Sequence, residues 1–316
     1  MRSNVSFKSN GLKVAGHLYL PDDYKKGEKR PAIVVSHPFG GVKEQTAGLY
    51  TKKLSEKGFI TLAFDASHQG ESEGEPRYLE DPFQRVEDIK SAVSFLESRD
   101  EVDEQGIGAL GICASGGYVP FAAETDRRIK AVATVSAADL GEPYRKGLAS
   151  STFPNIEQML DESNKARTEE ARGQPPRLAH IVPNTPEEVP KDVPAGGLYR
   201  EGTDYYRTPR AQHPNSPNWF LVSSIDRIAE YSSYEHVDMI SPRPLLMIAG
   251  TKADTRFFSE MAIEQAKEPK ELLLIDGATH IALYDKPEYV NPAVEKMNSF
   301  FNQNLQYEKG KTIKSS

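Results

Sequence analysis

Apolar residues open the chain at every second position. Val5 and Phe7, then Val14, Gly16, Leu18 and Leu20, flank the turn signal Ser9-Asn10-Gly11 and predict a two-stranded hairpin. Short, wholly apolar runs follow at Pro31-Ala-Ile-Val-Val-Ser36, Phe59-Ile-Thr-Leu-Ala-Phe64, Ile107-Gly-Ala-Leu-Gly-Ile112, Ile129-Lys-Ala-Val-Ala-Thr-Val135, Pro244-Leu-Leu-Met-Ile-Ala249 and Glu271-Leu-Leu-Leu-Ile275. Runs of this kind suit strands covered on both faces in a parallel sheet. The stretches between them change period. Val86, Ile89, Val93 and Leu96 have the spacing of an amphipathic helix, and helices are also expected at Leu49 to Lys57 (stopped by Gly58), Ala114 to Thr125, Ser259 to Ala266 and Pro292 to Asn304. Strand-helix-strand alternation implies an α/β class with a mostly parallel sheet and right-handed crossovers.

The pattern breaks between Ala138 and Ser241. One polar helix, Ile156 to Arg172, is predicted there, and then prolines from Pro175 to Pro217 interrupt every period. The expected organisation is a core of residues 1–137 and 242–305, a cap formed by the insertion 138–241, and a disordered tail over 306–316. Both ends of the insertion should leave the sheet at its C-terminal edge, where open parallel sheets bind ligands.

The chain has 316 residues, enough for one large domain with an insertion, and carries 39 Lys+Arg against 46 Asp+Glu, a net charge of −7. That balance argues against nucleic acid or an anionic membrane as partner. A single Cys rules out an intramolecular disulfide and a cysteine-rich zinc site. No apolar run approaches a membrane span, and the N-terminus lacks a signal-peptide core, so a reducing, cytoplasmic location is expected. No phosphate loop and no metal-ligand spacing is present, and Gly106-x-Gly108-x-x-Gly111 lies inside a strand, which fails the context test for dinucleotide binding. No cofactor is expected.

The densest chemical signal is Gly111-Ile112-Cys113-Ala114-Ser115-Gly116-Gly117, where a strand runs straight into a helix through small residues. That is the form of a nucleophile elbow, whose sharp turn needs small neighbours and lifts one side chain above the sheet. Two registers fit. Cys113, the first residue past the strand, is favoured, and Ser115 is the alternative nucleophile. A lone thiol is more often a small buried hydrophobe and a Ser before Gly-Gly a packing residue. Position outweighs this for Cys113, because the sole Cys stands where the architecture puts a nucleophile. In the chain order nucleophile, acid, base, His280 in the loop after the last strand is the expected base. Asp254, shortly after Gly250, is the expected acid, with Asp276 as its rival. Ala114, next after the nucleophile, should supply one oxyanion donor; Pro38 has no N–H, so Phe39 should supply the other, ahead of Gly40. His37 and His68 are weaker candidates for substrate contacts. Tyr206 and Trp219 join them from an aromatic set in the insertion that plain packing would equally explain.

With these residues in place the chain resembles an α/β-hydrolase of the dienelactone-hydrolase-like group, which includes bacterial hydrolases and fungal polyketide transferases with an N-terminal hairpin and long insertion. The resemblance spans about residues 5–135 and 241–304. It rests on Gly111-Ile-Cys113-Ala-Ser-Gly116-Gly117-Tyr118, Asp254 after Gly250, and Gly277-Ala-Thr-His280-Ile-Ala-Leu-Tyr-Asp285. It implies a Cys113, Asp254, His280 triad that cleaves an ester, thioester or lactone of a small-molecule acyl substrate. Dienelactone hydrolases proper tend to have Glu before their Phe-Gly loop, where this chain has His37-Pro38. Acyl transfer through the same intermediate, a non-catalytic ligand-binding relative and a homodimer stay open.

Overall fold

The computed structural model describes residues 1–147 and 155–305, so the expected tail 306–316 lies outside the described residues. The hairpin forms as β1 (Arg2–Ser9) and β2 (Leu12–Tyr19), paired antiparallel. The chain continues through β3 (Arg30–Ser36), α1 (Thr46–Ser55), β4 (Ile60–Phe64), α2 (Pro82–Glu97), β5 (Val102–Ile112), α3 (Ser115–Thr125) and β6 (Ala131–Val135). The insertion holds α4 (Gly141–Lys146), α5 (Ile156–Ala171), β7 (Leu178–His180), α6 (Leu198–Arg207), β8 (Trp219–Leu221) and α7 (Ile225–Glu230). After it come β9 (Leu245–Gly250), α8 (Arg256–Gln265), β10 (Lys270–Ile275), α9 (Ala282–Asp285) and α10 (Pro287–Leu305).

Eight strands form one sheet in the order β1-β2-β4-β3-β5-β6-β9-β10. From β4 to β10 all neighbours are parallel, while β2 meets β4 antiparallel. The apolar runs are explained by helices on both faces. Along β3, Ala32 and Val34 face the side covered by α2, α3 and α8, and Ile33 and Val35 face the side covered by α1 and α10. All four are fully buried. Each such Val or Ile contributes roughly 1.5–3 kcal/mol of burial, so a polar residue in these runs would be costly on either face. Helix α2 is set by its start, where the Asp81 carboxylate accepts the N–H groups of Phe83 and Gln84 at 3.0 and 3.3 Å and Pro82 fills the first turn.

Two differences from the sequence reading matter. Strand β5 begins at Val102 rather than Ile107, across an irregularity opposite β3 that brings polar residues into the strand. The insertion is also more regular than its prolines suggest: besides α5 it contains α6 and the small antiparallel pair β7-β8. No helix among the described residues is long and apolar enough to cross a membrane.

Candidate active site

Strand β5 ends at Ile112 and α3 starts at Ser115, which leaves Cys113 and Ala114 to make the turn. Cys113 takes φ +58°, a left-handed conformation that a side chain adopts only when its surroundings over-determine it. Here they do. Its N–H donates to the Val135 carbonyl at 3.1 Å, and its carbonyl accepts from Gly116 at 2.7 Å and Ala138 at 3.0 Å. The small neighbours are obligatory: a Cβ on Gly111 would lie 1.9 Å from the Ser115 carbonyl oxygen, and one on Gly116 would lie 2.5 Å from Ala137 Cα.

The turn lifts Cys113 into a cavity of about 760 Å³. Phe39, Ala114, Tyr199, Tyr206 and Tyr284 line the thiol end, Met159, Ile181, Val182 and Phe220 the insertion side, and Glu162, Arg177 and His180 also border it. Ser115 is placed differently. Fully buried beneath the turn, its Oγ donates to the His37 carbonyl at 2.6 Å, accepts from Arg85 Nη2 at 3.0 Å and lies 2.9 Å from Ser36 Oγ. Ser115, the alternative nucleophile, is not among the residues that line the cavity, whereas Cys113 is.

Arg85, carried on α2, clamps this underside. Its guanidinium bonds Glu80 at 3.0 and 3.3 Å and the His37 carbonyl at 2.6 Å, and lies over the Tyr118 ring at 5.0 Å. Both charges are almost wholly buried. The His37-Pro38-Phe39 loop is thereby fixed from below. From within, His37 donates through Nδ1 to the Pro38 carbonyl at 2.7 Å and accepts the Ala66 N–H on Nε2 at 3.0 Å. Burial, with the Arg85 charge beside it, holds this imidazole well below its ordinary pKa, so it stays neutral and can accept.

Both ring nitrogens of His37 are thus engaged by backbone groups, and the residue does not line the cavity. His68, with φ +69° and Nδ1 3.0 Å from the Pro76 carbonyl, holds a turn outside the cavity. Trp219 does not line the cavity either; it stacks on His180 at 3.9 Å, and His180 does. Of the four residues proposed for substrate contact, Tyr206 is the one at the cavity wall.

His280 stands in the loop between β10 and α9, tied to the end of β6 by Ser136 Oγ, which donates to its carbonyl at 2.9 Å. The ring is wholly buried. Nδ1 and Thr255 Oγ1 share a hydrogen bond of 2.5 Å, and Nε2 lies 3.2 Å from the Tyr284 hydroxyl. Burial pushes the imidazole down to about 4, against the charge of Asp254, which acts in the opposite direction. Asp254 also accepts the Leu198 N–H on Oδ2 at 2.9 Å. Its rival Asp276 is exposed and accepts from Thr251 Oγ1 at 3.1 Å, on the outside of the loop.

Burial likewise raises the Cys113 thiol, opposed by the Tyr284 hydroxyl, the N–H groups of Ala114 and Phe39, and the charge of Arg85. Phe39 and Ala114, whose amides are the expected oxyanion donors, line the same cavity as Cys113. Such a set can stabilise negative charge on sulfur or on an oxygen bound beside it. Thr255, Tyr284 and Arg85 were not picked out by the sequence reading. The spacing His280-x-x-x-Tyr284, four apart at the start of a short helix, is the one signal that could have found Tyr284.

Among the described residues the acidic groups Glu44, Asp65 and Glu71 lie close enough together to hold an ion. The Lys43 ammonium fills that position, at 2.8, 2.7 and 2.6 Å from the three.

The chain is 37% identical to the uncharacterized protein YcjY of Escherichia coli (strain K12) over 311 residues, 96% of this chain and 100% of that protein. The crystal structure of a hypothetical protein, PA2218 from Pseudomonas aeruginosa, matches it with a TM-score of 0.88 at 36% identity, covering 96% of this chain and 94% of that one. Thiohydrolase aneE of Aspergillus aculeatus is 27% identical over 288 residues, 89% of this chain and 87% of that protein. The family model for the dienelactone hydrolase family matches residues 14–143. With its sheet order, elbow and these relatives, the chain belongs to the dienelactone hydrolase family of α/β-hydrolases.

Proposed function

We propose that this hydrolase cleaves an ester or thioester of a medium-sized apolar acyl group through a covalent thioester on Cys113. The observation that carries the reading is the placement of the Cys113 sulfur: at φ +58° on the elbow, against the N–H groups of Phe39 and Ala114, at the end of a largely apolar cavity of about 760 Å³. In this reading the sulfur attacks the acyl carbon, and the carbonyl oxygen, now an oxyanion, is met by the two amides. His280 takes the thiol proton and returns it to the departing alkoxide or thiolate. Water, deprotonated by His280, then attacks the thioester; the carboxylic acid leaves and the proton goes back to the sulfur. Asp254 steadies the imidazolium by its charge. The chemistry uses these side chains and water alone.

The relative named thiohydrolase supports the thioester half of this reading. Size and lining support the acyl group, since pockets of several hundred Å³ with few polar groups bury most of a drug-sized apolar ligand. The test is trapping. Wild-type protein mixed with p-nitrophenyl and thioester substrates of graded chain length and quenched in acid should carry the acyl mass on Cys113, and Cys113→Ala should neither carry it nor turn over. Full turnover by Cys113→Ala would overturn the reading. The same trap run with added alcohols and amines separates hydrolysis from acyl transfer by the product formed.

A further inference from the structure

The Tyr284 hydroxyl stands between the two groups that must exchange a proton. It lies 3.2 Å from His280 Nε2, and it shares the cavity wall with Cys113, close enough for the two groups to act on each other's ionisation. His280 Nδ1 is already engaged by Thr255 Oγ1 at 2.5 Å, so Nε2 is the nitrogen left to receive a proton. With the ring proton on Nδ1 and donated to Thr255 Oγ1, a single chain of donors is self-consistent: the thiol S–H towards Tyr284 Oη, and the Tyr284 O–H towards Nε2.

The phenol is also held still. Its ring is buried and meets Tyr205 and Tyr206 edge-on at 5.2 and 6.5 Å. The backbone around it is pinned by Thr46 Oγ1, which donates to the Tyr284 carbonyl at 3.0 Å, and by the Tyr50 hydroxyl, which donates to the Leu283 carbonyl at 2.7 Å. Asp285, next in sequence, is forked by Arg210 at 2.8 and 2.6 Å. Plain core packing would not require the hydroxyl to face both sulfur and imidazole.

We propose that Tyr284 is a catalytic residue that relays the proton from Cys113 to His280. The inference rests on the reading of Cys113 as nucleophile. In one concerted shift the S–H bond breaks as a new O–H bond forms on Tyr284, while the original Tyr284 O–H bond breaks as an N–H bond forms on His280 Nε2. The products are a thiolate, a neutral tyrosine and an imidazolium, so charge and protons balance with no further reactant. Both transfers must occur together, because burial holds the phenol well above its ordinary pKa and a free tyrosinate is disfavoured. Return of the proton to the leaving group runs directly from the imidazolium or back along the same path.

The test compares full-length wild type with Tyr284→Phe. Iodoacetamide alkylation of Cys113 followed against pH reads thiolate formation without any substrate. Tyr284→Phe should slow alkylation at neutral pH by roughly tenfold or more and move its midpoint upward. In mixtures of light and heavy water, the acylation rate of the wild type should bow with deuterium content, as two moving protons require, and become linear in Tyr284→Phe. An unchanged alkylation profile, with or without slower acylation, overturns the relay and leaves Tyr284 as cavity wall. If Tyr284→Phe does not fold by thermal melting, 3-fluorotyrosine placed at 284 alone keeps the shape and acidifies the phenol; the alkylation midpoint must then shift, and a midpoint that stays put overturns the proposal. Turnover by Cys113→Ala tests the nucleophile itself and is independent of both outcomes.

Discussion

Asp254 accepts the backbone N–H of Leu198 at 2.9 Å, so the carboxylate whose charge acts on His280 also holds the first residue of α6 in the insertion. A negative charge at a helix start is favourable in itself. The same helix is held again where Thr279, adjacent to His280, donates through Oγ1 to Glu201 at 2.5 Å. Leu198, Gly202 and Tyr206, spaced four apart on α6, then line the cavity. Chamber wall and candidate triad therefore share one rigid piece, and a change in either is felt by the other.

Replacing Asp254 by Asn keeps an oxygen for the Leu198 amide while removing the charge felt by His280. Asp254→Asn should lower kcat by roughly 10²–10⁴-fold with KM changed only a few-fold, since the carboxylate acts through the imidazole and not on substrate. Asp276→Asn, altering a group on the outer side of the loop, should be nearly silent. Steady-state kinetics of the two variants on one chromogenic ester decide it; a damaging Asp276→Asn beside a silent Asp254→Asn would move the acid to 276.

Arg85 and Glu80 form a buried pair directly beneath the elbow. Removing one partner leaves the other charge buried alone, so Arg85→Met should destabilise the fold by about 3–5 kcal/mol. Ser115→Ala removes a hydroxyl that bonds the His37 carbonyl and should cost about 1–3 kcal/mol while leaving substantial turnover. Urea unfolding with parallel activity measurements separates the two effects. Loss of all activity in a fully folded Ser115→Ala would restore the serine as a rival for the chemistry.

Strand positions were readable because a sheet covered on both faces demands unbroken apolar runs, and few other structures tolerate Ile33 to Val35 or Leu245 to Ile248. The elbow was readable for a related reason: a 1.9 Å approach to the Ser115 carbonyl permits nothing larger than glycine at 111. Other parts could not be read. His37 and His68 look like pocket residues until their backbone partners at Pro38, Ala66 and Pro76 are known, and those pairings come from the fold. Helix α6 escaped notice because the prolines before it hide the four-residue spacing of Leu198, Gly202 and Tyr206. Tyr284 meets His280 across four residues, which local spacing can record, but it meets Cys113 only through the fold, which no local pattern records.

The buried imidazole of His280 gives a pH signature. Its pKa falls from 6.5 to about 4 on folding, so the unfolded chain binds this proton first as pH drops. Its share of stability is complete above pH 6.5 and is lost progressively toward pH 4. The full loss is about 3 kcal/mol. His37 shifts with the same sign. Unfolding free energies measured from pH 7 to pH 4 should therefore fall more steeply in wild type than in His280→Asn, by about that amount. Parallel curves would mean that the native imidazole titrates normally.

Tyr206 and Trp219 are both candidates for substrate contact on sequence, and their positions separate them. Tyr206 forms cavity wall close to Cys113, whereas Trp219 reaches the cavity only through the His180 ring it stacks upon. Truncating Tyr206 enlarges the chamber near the reacting carbon, where branched or bulky acyl groups gain space and short unbranched ones lose contact. Tyr206→Ala should thus shift kcat/KM ratios toward bulkier acyl groups by roughly tenfold, the scale set by one or two methylenes of apolar contact. Because Tyr206 also packs on Tyr205 and Tyr284, at 4.9 and 6.5 Å, some loss of melting temperature accompanies the change. Trp219→Ala should leave the ratios for short acyl groups intact and alter only those long enough to reach His180. Equal losses on every chain length in both variants, tracking a fall in melting temperature, would show the aromatics to be core, and the insertion would then have no part in selecting the acyl group through them.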